Sequence, residues 1–198
     1  MFYSDARQDE FIARLFNFKK DGTFVDIGSC NAVGSNNTFF LEGLGWNGLC
    51  VELNANYNNS YAVRKCKYIN QNALELNYSN IFEELEFPSY IDYLSMDIDE
   101  LSFEALIKLP HEKYRFRSIT IEHDAYRLGD VFRKKQRDFL NNLGYYLVVA
   151  NIYVEQDGYP INAPFEDWWV DPKEFNFELI NKTKSDSIYP SALIKKMI

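Results

Sequence analysis

Two apolar segments of this chain end in clusters of groups able to do chemistry. Ile91-Asp92-Tyr93-Leu94-Ser95-Met96 runs into Asp97-Ile98-Asp99, and Ile119-Thr120-Ile121 runs into Glu122-His123-Asp124. Carboxylates at the ends of neighbouring buried strands can remove a proton or share a hard divalent cation, Mg2+ or Mn2+. An imidazole beside them can act as base or third ligand, and tilts the choice of metal towards Mn2+. Asp97 and Glu122 are the expected pair, because both close apolar strands on one face. Asp99 and Asp124 are expected to cap the helices that follow. His123 is read as base or ligand, with a satisfied core histidine as the plain alternative.

A third feature fixes what such a site would work beside. Thr23-Phe24-Val25-Asp26-Ile27-Gly28 is a short apolar run that breaks at glycine and leads through Ser29-Cys30-Asn31-Ala32-Val33-Gly34 towards a helix. The next apolar run, Gly48-Leu49-Cys50-Val51, ends in Glu52, 24 residues after Gly28. An acidic residue at about that offset (roughly 20 residues) is placed to accept hydrogen bonds from two ribose hydroxyls. A dinucleotide site needs G-x-G-x-x-G so that backbone can approach a pyrophosphate. Here Cys30 stands where the second glycine would fall, which disfavours NAD. A cofactor with a ribose and no phosphate tolerates the side chain, and S-adenosylmethionine is the common one.

These stretches, with Asn36-Asn37-Thr38-Phe39-Phe40-Leu41-Glu42 and Gly45-Trp46-Asn47 between them, resemble the FkbM-type methyltransferases. The likeness extends to Gln8-Asp9-Glu10-Phe11, to Ile91–Asp99, to Ile119–His123 and to Phe165-Glu166-Asp167-Trp168-Trp169, in the expected order over roughly residues 4–171. Two positions depart from the family pattern: Ala32 replaces a second loop glycine, and Leu53 replaces a proline after the ribose acid. The resemblance implies a Rossmann-like class I methyltransferase fold and transfer of a methyl group from S-adenosylmethionine to a sugar hydroxyl. It also adds weight to a divalent metal near Asp97, Glu122 and His123. Gln8, Asp26, Gly28, Ser29, Glu52 and Asn72 are the residues expected to contact the cofactor, Asn72 at the adenine amine.

Composition bounds the rest. The 198 residues are 46% hydrophobic and 25% charged, a globular balance, and suit one enzyme domain spanning 1–198. Within it, residues 1–20 are expected to carry an N-terminal helix and 172–198 a C-terminal helix and tail. The net charge of −8, from 29 acidic and 21 basic residues, argues against a nucleic-acid partner, whose phosphates call for Lys and Arg. No apolar run approaches the ~18 residues of a membrane span. Met1-Phe2-Tyr3-Ser4-Asp5 lacks the pattern of a secretory leader. Three cysteines, Cys30, Cys50 and Cys66, have no C-x-x-C spacing, so a reduced, cytoplasmic setting is expected. Nothing in the sequence specifies an oligomeric state.

Helices and strands alternate in the pattern that would position these groups. An opening amphipathic helix carries Phe11, Ile12, Leu15 and Phe16, and a second, carrying Phe40, Leu41 and Leu44, stops at Gly45. A helix is expected around Tyr57–Lys65, then strands at Lys67–Ile69, Ile91–Met96 and Ser118–Ile121. A long helix from about Gly129 ends before Gly144. Tyr145–Val154 and Phe165–Val170 follow with no helix between them and should pair antiparallel. The expected fold is α/β, a mostly parallel seven-stranded sheet closed by an antiparallel hairpin. The basic run Arg133-Lys134-Lys135-Gln136-Arg137 is expected on a solvated helix face. In the aromatic stretch from Tyr159 to Trp169, a stacking wall for a sugar is one use, with Trp168 expected in the core.

Two other readings fit parts of the sequence. Asp97-Ile98-Asp99 after an apolar strand is also the D-x-D arrangement of metal-dependent nucleotide-sugar glycosyltransferases. A non-catalytic Rossmann-like module is the other, with Ala32 in the loop as its best support.

Overall fold

In the computed structural model, which describes residues 1–198 with the side chain of Phe177 excepted, seven strands form one sheet. They are β1 (Thr23–Ile27), β2 (Asn47–Glu52), β3 (Lys67–Asn70), β4 (Tyr90–Met96), β5 (Arg115–Glu122), β6 (Tyr146–Tyr153) and β7 (Pro164–Val170). Their order across the sheet is β3-β2-β1-β4-β5-β7-β6. The first five pair in parallel, and β7 lies antiparallel between β5 and β6. The chain reverses direction in strand order beside β1, so the carboxyl ends of β1 and β4 flank a crevice, where ligands bind in such sheets.

Helices cover both faces. They are α1 (Gln8–Leu15), α2 (Phe39–Gly43), α3 (Tyr78–Glu84), α4 (Ser102–Leu106), α5 (Ala125–Leu128), α6 (Asp130–Asn142), α7 (Phe177–Thr183) and α8 (Pro190–Met197). Successive residues of a strand face opposite sides, and the strands use this to feed two cores. Phe24 and Trp168 join Phe11, Leu41 and Trp46 on one face, while Val25 and Trp169 join Phe82, Leu106 and Leu140 on the other. Trp168 and Trp169 are both fully buried, which assigns Trp168 to the core. Burying side chains of this size contributes roughly 1.5–3 kcal/mol each.

The expected elements are present with three differences. Residues 57–65 do not form an α-helix: Ala55–Val63 is a 3-10 run, opened by the Asn54 side chain accepting from the Asn56 amide at 3.1 Å. Its sequence, Asn-rich, buries only Tyr61 and offers no apolar stripe to hold a full helix against the sheet. After Asp171 the chain forms two helices in place of one. Between them Ser185 and Ile188 make parallel bridges to Val149 and Ile152, covering part of the edge that β6 would expose. The basic run is only partly solvated. Arg137 makes paired hydrogen bonds of 2.7 and 2.8 Å to buried Asp167, and Arg133 reaches Asn151 at 2.6 Å. No described helix is long and apolar enough to cross a membrane.

Candidate active site

The turn after β1 is pinned to both neighbouring strands. Gly28 and Ser29 donate backbone hydrogen bonds to Val51 of β2, and Asp97 at the end of β4 donates to Ile27 at 2.8 Å. Gly28 sits at φ +81°, and a Cβ there would lie 1.8 Å from the Asp97 carbonyl oxygen. Only glycine combines that conformation with that approach. Cys30 also lies in the left-handed region, at φ 50°, where glycine is preferred. Its amide is held by Glu52 Oε2 at 2.9 Å, while Glu52 Oε1 accepts from the Asn54 amide at 2.7 Å. Each carboxylate oxygen therefore keeps a lone pair for a ribose hydroxyl.

Two cavities lie about the carboxyl ends of the strands. A cleft of about 80 Å³ is bounded by Gly28, Glu52, Leu53, Asn72, Ile98 and Leu101. Its apolar walls are unusual for a surface: Leu53 is 68% exposed and Leu101 44% exposed, both beside the one acidic group that could hold a ribose. A flat heteroaromatic base would cover them. A second cavity of about 170 Å³ is lined by Gln8, Asn37, Asp97, Glu122, Asp124 and Tyr126, among others. Asp97 and Ile98, successive residues, line one cavity each, so the end of β4 is the partition between them.

The electrostatics concentrate on that partition. Asp97 reaches solvent through the cavity yet is packed by protein on its other sides. This crowding, with Asp99 and Asp124 nearby, pushes its carboxyl above the ordinary range. Glu122 is raised far more strongly, by burial first and then by the charge and hydrogen bond of Asp97. Each of the two carboxyls is thus held above its ordinary range, Glu122 the more strongly, by burial and by neighbouring carboxylates. Glu122 Oε2 also accepts from the Asp99 amide at 3.0 Å. Arg127 links Asp99 at 2.6 Å to Asp124, which it contacts more closely still.

Gly28, Glu52 and Asn72 line the cleft, and Gln8, Asp97 and Glu122 line the second cavity. Gln8 donates to buried Glu166 at 2.8 Å. The Asn72 amide serves its own turn, accepting from Leu74 and donating to Glu75. Three expected residues reach neither cavity. Asp26 is buried beneath the turn, accepting from Thr38 Oγ1 at 2.9 Å, and burial pushes its carboxyl up to about 6. Ser29 is buried, with its Oγ accepting from the Tyr61 hydroxyl at 2.6 Å. Both side chains are engaged within the loop and its supports.

His123 lines neither cavity. Its ring is buried on the far side of β5, Nδ1 accepting from the Ala125 amide at 3.1 Å and Nε2 lying 3.4 Å from Asp167 Oδ1. Glu122 lines the cavity, whereas His123, just past the end of β5, turns towards Asp167 of β7. The oxygens that do converge belong to Asp99, Glu122 and Asp124, whose ligand atoms lie within 4.8 Å of one another. Asp99 and Asp124 thus stand in the cluster; Asp124 occupies the N-cap position of α5, but its side chain makes no capping hydrogen bond, and Asp99 is the first residue of the turn that follows β4.

Arg64 was not singled out by any motif. Its buried guanidinium binds Glu42 at 3.0 Å, the Ala32 carbonyl at 2.9 Å, and Asn36 and Thr38 at 3.0 Å. It holds residues 32–38 against the sheet, where the family pattern would use a glycine at Ala32. A lone arginine before a strand carries no local signal of this.

No protein-family model matches the chain, and no curated protein matches it in sequence. Solved structures do match in three dimensions. A TehB-like S-adenosylmethionine-dependent methyltransferase from Corynebacterium glutamicum superposes with a TM-score of 0.56 at 14% identity, over 86% of this chain and 88% of that one. An rRNA methylase from Streptococcus thermophilus gives 0.54 at 12% identity, over 86% and 98%. TrmK of M. capricolum, solved with S-adenosyl-homocysteine, gives 0.53 at 13% identity, over 88% and 73%. At these identities the likeness is one of fold, and the fold of this chain is that of the class I, Rossmann-like S-adenosylmethionine-dependent methyltransferases.

Proposed function

We propose that this chain is an FkbM-type O-methyltransferase that uses S-adenosylmethionine to methylate a hydroxyl of a sugar or glycan. The observation that carries the reading is the partition at Asp97–Ile98, with the Glu52-lined apolar cleft on one side and a carboxylate-lined cavity on the other. A donor in the cleft and an acceptor in the cavity would meet across a single residue, which is the geometry that methyl transfer requires. When bound, S-adenosylmethionine supplies a sulfonium methyl group whose carbon–sulfur bond breaks as the acceptor oxygen bonds to carbon, the bonding pair leaving on sulfur.

The chain supplies position and a proton acceptor. Glu52 holds the ribose through its free lone pairs, and Leu53, Ile98 and Leu101 cover the base. Asp97 takes the proton of the acceptor hydroxyl, with Glu122 donating a hydrogen bond to the carboxylate and setting its orientation. The acidic lining disfavours a nucleic-acid acceptor, whose phosphates it would repel. In calorimetry, S-adenosylhomocysteine should bind, and labelled methyl should pass to a sugar acceptor. Absence of nucleoside binding would favour the non-catalytic module, and preference for a nucleotide sugar would favour the glycosyltransferase.

A metal-assisted variant is a second reading, favoured by the convergence of Asp99, Glu122 and Asp124. Three hard oxygen ligands suit Mg2+ or Mn2+ and would polarise the acceptor hydroxyl. Arg127 would then have to release Asp99 and Asp124, whose charges it already balances. Asp97 with Glu122 needs no such rearrangement, and is the preferred arrangement.

A further inference from the structure

We infer that Asn37 recognises the ammonium group at the methionine end of S-adenosylmethionine, so that the cofactor crosses the partition and occupies one wall of the second cavity. The inference rests on the reading of the Glu52 cleft as the nucleoside site. That cleft is about 80 Å³, well below the ~300–1,000 Å³ typical of sites for drug-sized ligands. It can hold one part of such a cofactor. The rest must continue past Asp97 and Ile98 into the cavity that Asn37 lines, leaving the wall of Tyr126 and Tyr159 to the acceptor.

Asn37 is built into that wall. The side chains on either side of it are tied down. Asn36 Oδ1 accepts from the amides of Thr38 at 3.0 Å and Phe39 at 2.8 Å, while its Nδ2 donates to the Ser29 carbonyl at 2.8 Å. Thr38 Oγ1 donates to Asp26 and accepts from Arg64. Asn37 itself is only 9% exposed, and its Nδ2 donates to Ser95 Oγ of β4 at 2.9 Å. No donor among the described residues reaches its Oδ1, although the residue lines the cavity. A nearly buried amide oxygen left without a donor calls for a ligand that brings one.

The amide is not free to turn over. Ser95 stands opposite Asp26 in the β1–β4 register. Burial raises the Asp26 carboxyl, and hydrogen bonds from the Thr38 and Ser95 hydroxyls oppose that rise. With its proton turned to Asp26, Ser95 can only accept from Asn37, which fixes Nδ2 inward and Oδ1 outward. Gln8, the other amide in the wall, is already engaged at both ends: Oε1 accepts from the Ala6 amide at 3.0 Å and Nε2 donates to Glu166 at 2.8 Å. The Asn37 oxygen carries no proton, so it can meet only a donor. At the amino-acid end of the cofactor the donor is the ammonium group, because the carboxylate only accepts.

Three ligands test this: S-adenosylhomocysteine, its analogue with the α-amine replaced by hydrogen, and methylthioadenosine, which lacks the amino-acid end. Each is titrated by calorimetry into the parent, Asn37→Ala and Ser95→Ala. The parent should bind S-adenosylhomocysteine at least about tenfold more tightly than the deaminated analogue. In Asn37→Ala the two should come within about threefold, with methylthioadenosine affinity unchanged, a pattern that general damage to the fold would not produce. Ser95→Ala keeps Asn37 but frees its amide to turn, and should narrow the preference part of the way. It carries the test where Asn37→Ala fails to fold. Equal binding of S-adenosylhomocysteine and the deaminated analogue to the parent would overturn the inference and leave the nucleoside site in place. A preference that persists undiminished in the variants would do the same. Failure of all three ligands to bind the parent would remove the nucleoside site and the inference with it.

Discussion

Gly28 packs beneath the main chain of Asp97 so closely that a Cβ on the glycine would fall 1.8 Å from the aspartate carbonyl oxygen. The turn proposed to hold the cofactor and the strand end proposed to carry the proton acceptor are therefore one contact. Gly28→Ala must displace Asp97 and also strain a backbone at φ +81°, which costs roughly 1–2 kcal/mol before any clash. Loss of S-adenosylhomocysteine affinity by more than about tenfold is expected, together with loss of methyl transfer and a lower melting temperature. An alanine variant that binds as well as the parent would separate the two cavities and undo the argument.

Glu52→Ala removes the ribose acceptor and also frees the Cys30 and Asn54 amides it holds. Hydrogen bonds to a charged group contribute about 1.5–3 kcal/mol each, so S-adenosylhomocysteine affinity should fall at least about tenfold in calorimetry. The fold should survive, because Glu52 lies at a strand end near the surface. Unchanged affinity would place the nucleoside elsewhere.

Arg64→Met tests the buried support of the loop. Removing the guanidinium leaves the Glu42 carboxylate, only 7% exposed, with the Lys65 and Cys66 amides as donors but no counter-charge, and breaking a buried pair in this way costs about 3–5 kcal/mol. Denaturant melts should show a loss of that order. A double variant, Arg64→Met with Glu42→Leu, should regain part of it, because both charges are then gone. If Arg64→Met also weakens S-adenosylhomocysteine binding while the double variant does not recover it, Arg64 positions residues 32–38 for the cofactor.

The pH dependence of stability has a defined sign. Burial pushes Glu166 up from an ordinary carboxylate to about 8, helped by the charge of Asp97. Between about 4.5 and 8 the folded chain retains a proton that the unfolded chain has lost. Stability from this group is full below that window and declines as pH rises through it, by an amount on the order of a few kcal/mol. Asp26, raised to about 6, acts in the same direction over a lower and narrower window. Melting temperatures measured from pH 5 to 8 should fall in the parent and fall less in Glu166→Gln. An unchanged slope in the glutamine variant would show that Glu166 is ionised in the folded chain.

Much of the fold was legible because it rests on local pattern. The runs at Phe24–Ile27, Leu49–Val51 and Ile91–Met96 alternate nothing and break at Gly28, Glu52 and Asp97, the pattern of parallel strands buried on both faces. Gly28 and Glu52 were legible because a fixed number of residues separates them along one β-α-β unit. The partners of His123 were not, because one lies on β7 and the other at the start of α5: only the folded structure brings its ring within 3.4 Å of Asp167. Arg64 was illegible for a related reason. Its four partners lie 22–32 residues away, and no spacing rule links a buried cation to a loop across that separation.

Catalysis separates the two ways of using the acidic cluster. If Asp97 accepts the hydroxyl proton with Glu122 as its hydrogen-bond donor, Asp97→Asn should lower the rate by about 10²–10⁴. S-adenosylhomocysteine affinity should be retained, because the Asp97 backbone that touches Gly28 is unchanged. Turnover should then persist in excess chelator. If the Asp99, Glu122 and Asp124 oxygens hold a cation instead, chelation should abolish turnover and Mn2+ or Mg2+ should restore it, with Asp99→Asn as damaging as Asp97→Asn. His123→Gln supplies the control. Its ring contacts Asp167 and the Ala125 amide, so the variant should melt at lower temperature yet respond to chelator as the parent does. A His123 variant with normal stability and altered metal dependence would return the histidine to the site. The expected result is activity in chelator, lost in Asp97→Asn and kept in His123→Gln at temperatures where that variant is folded.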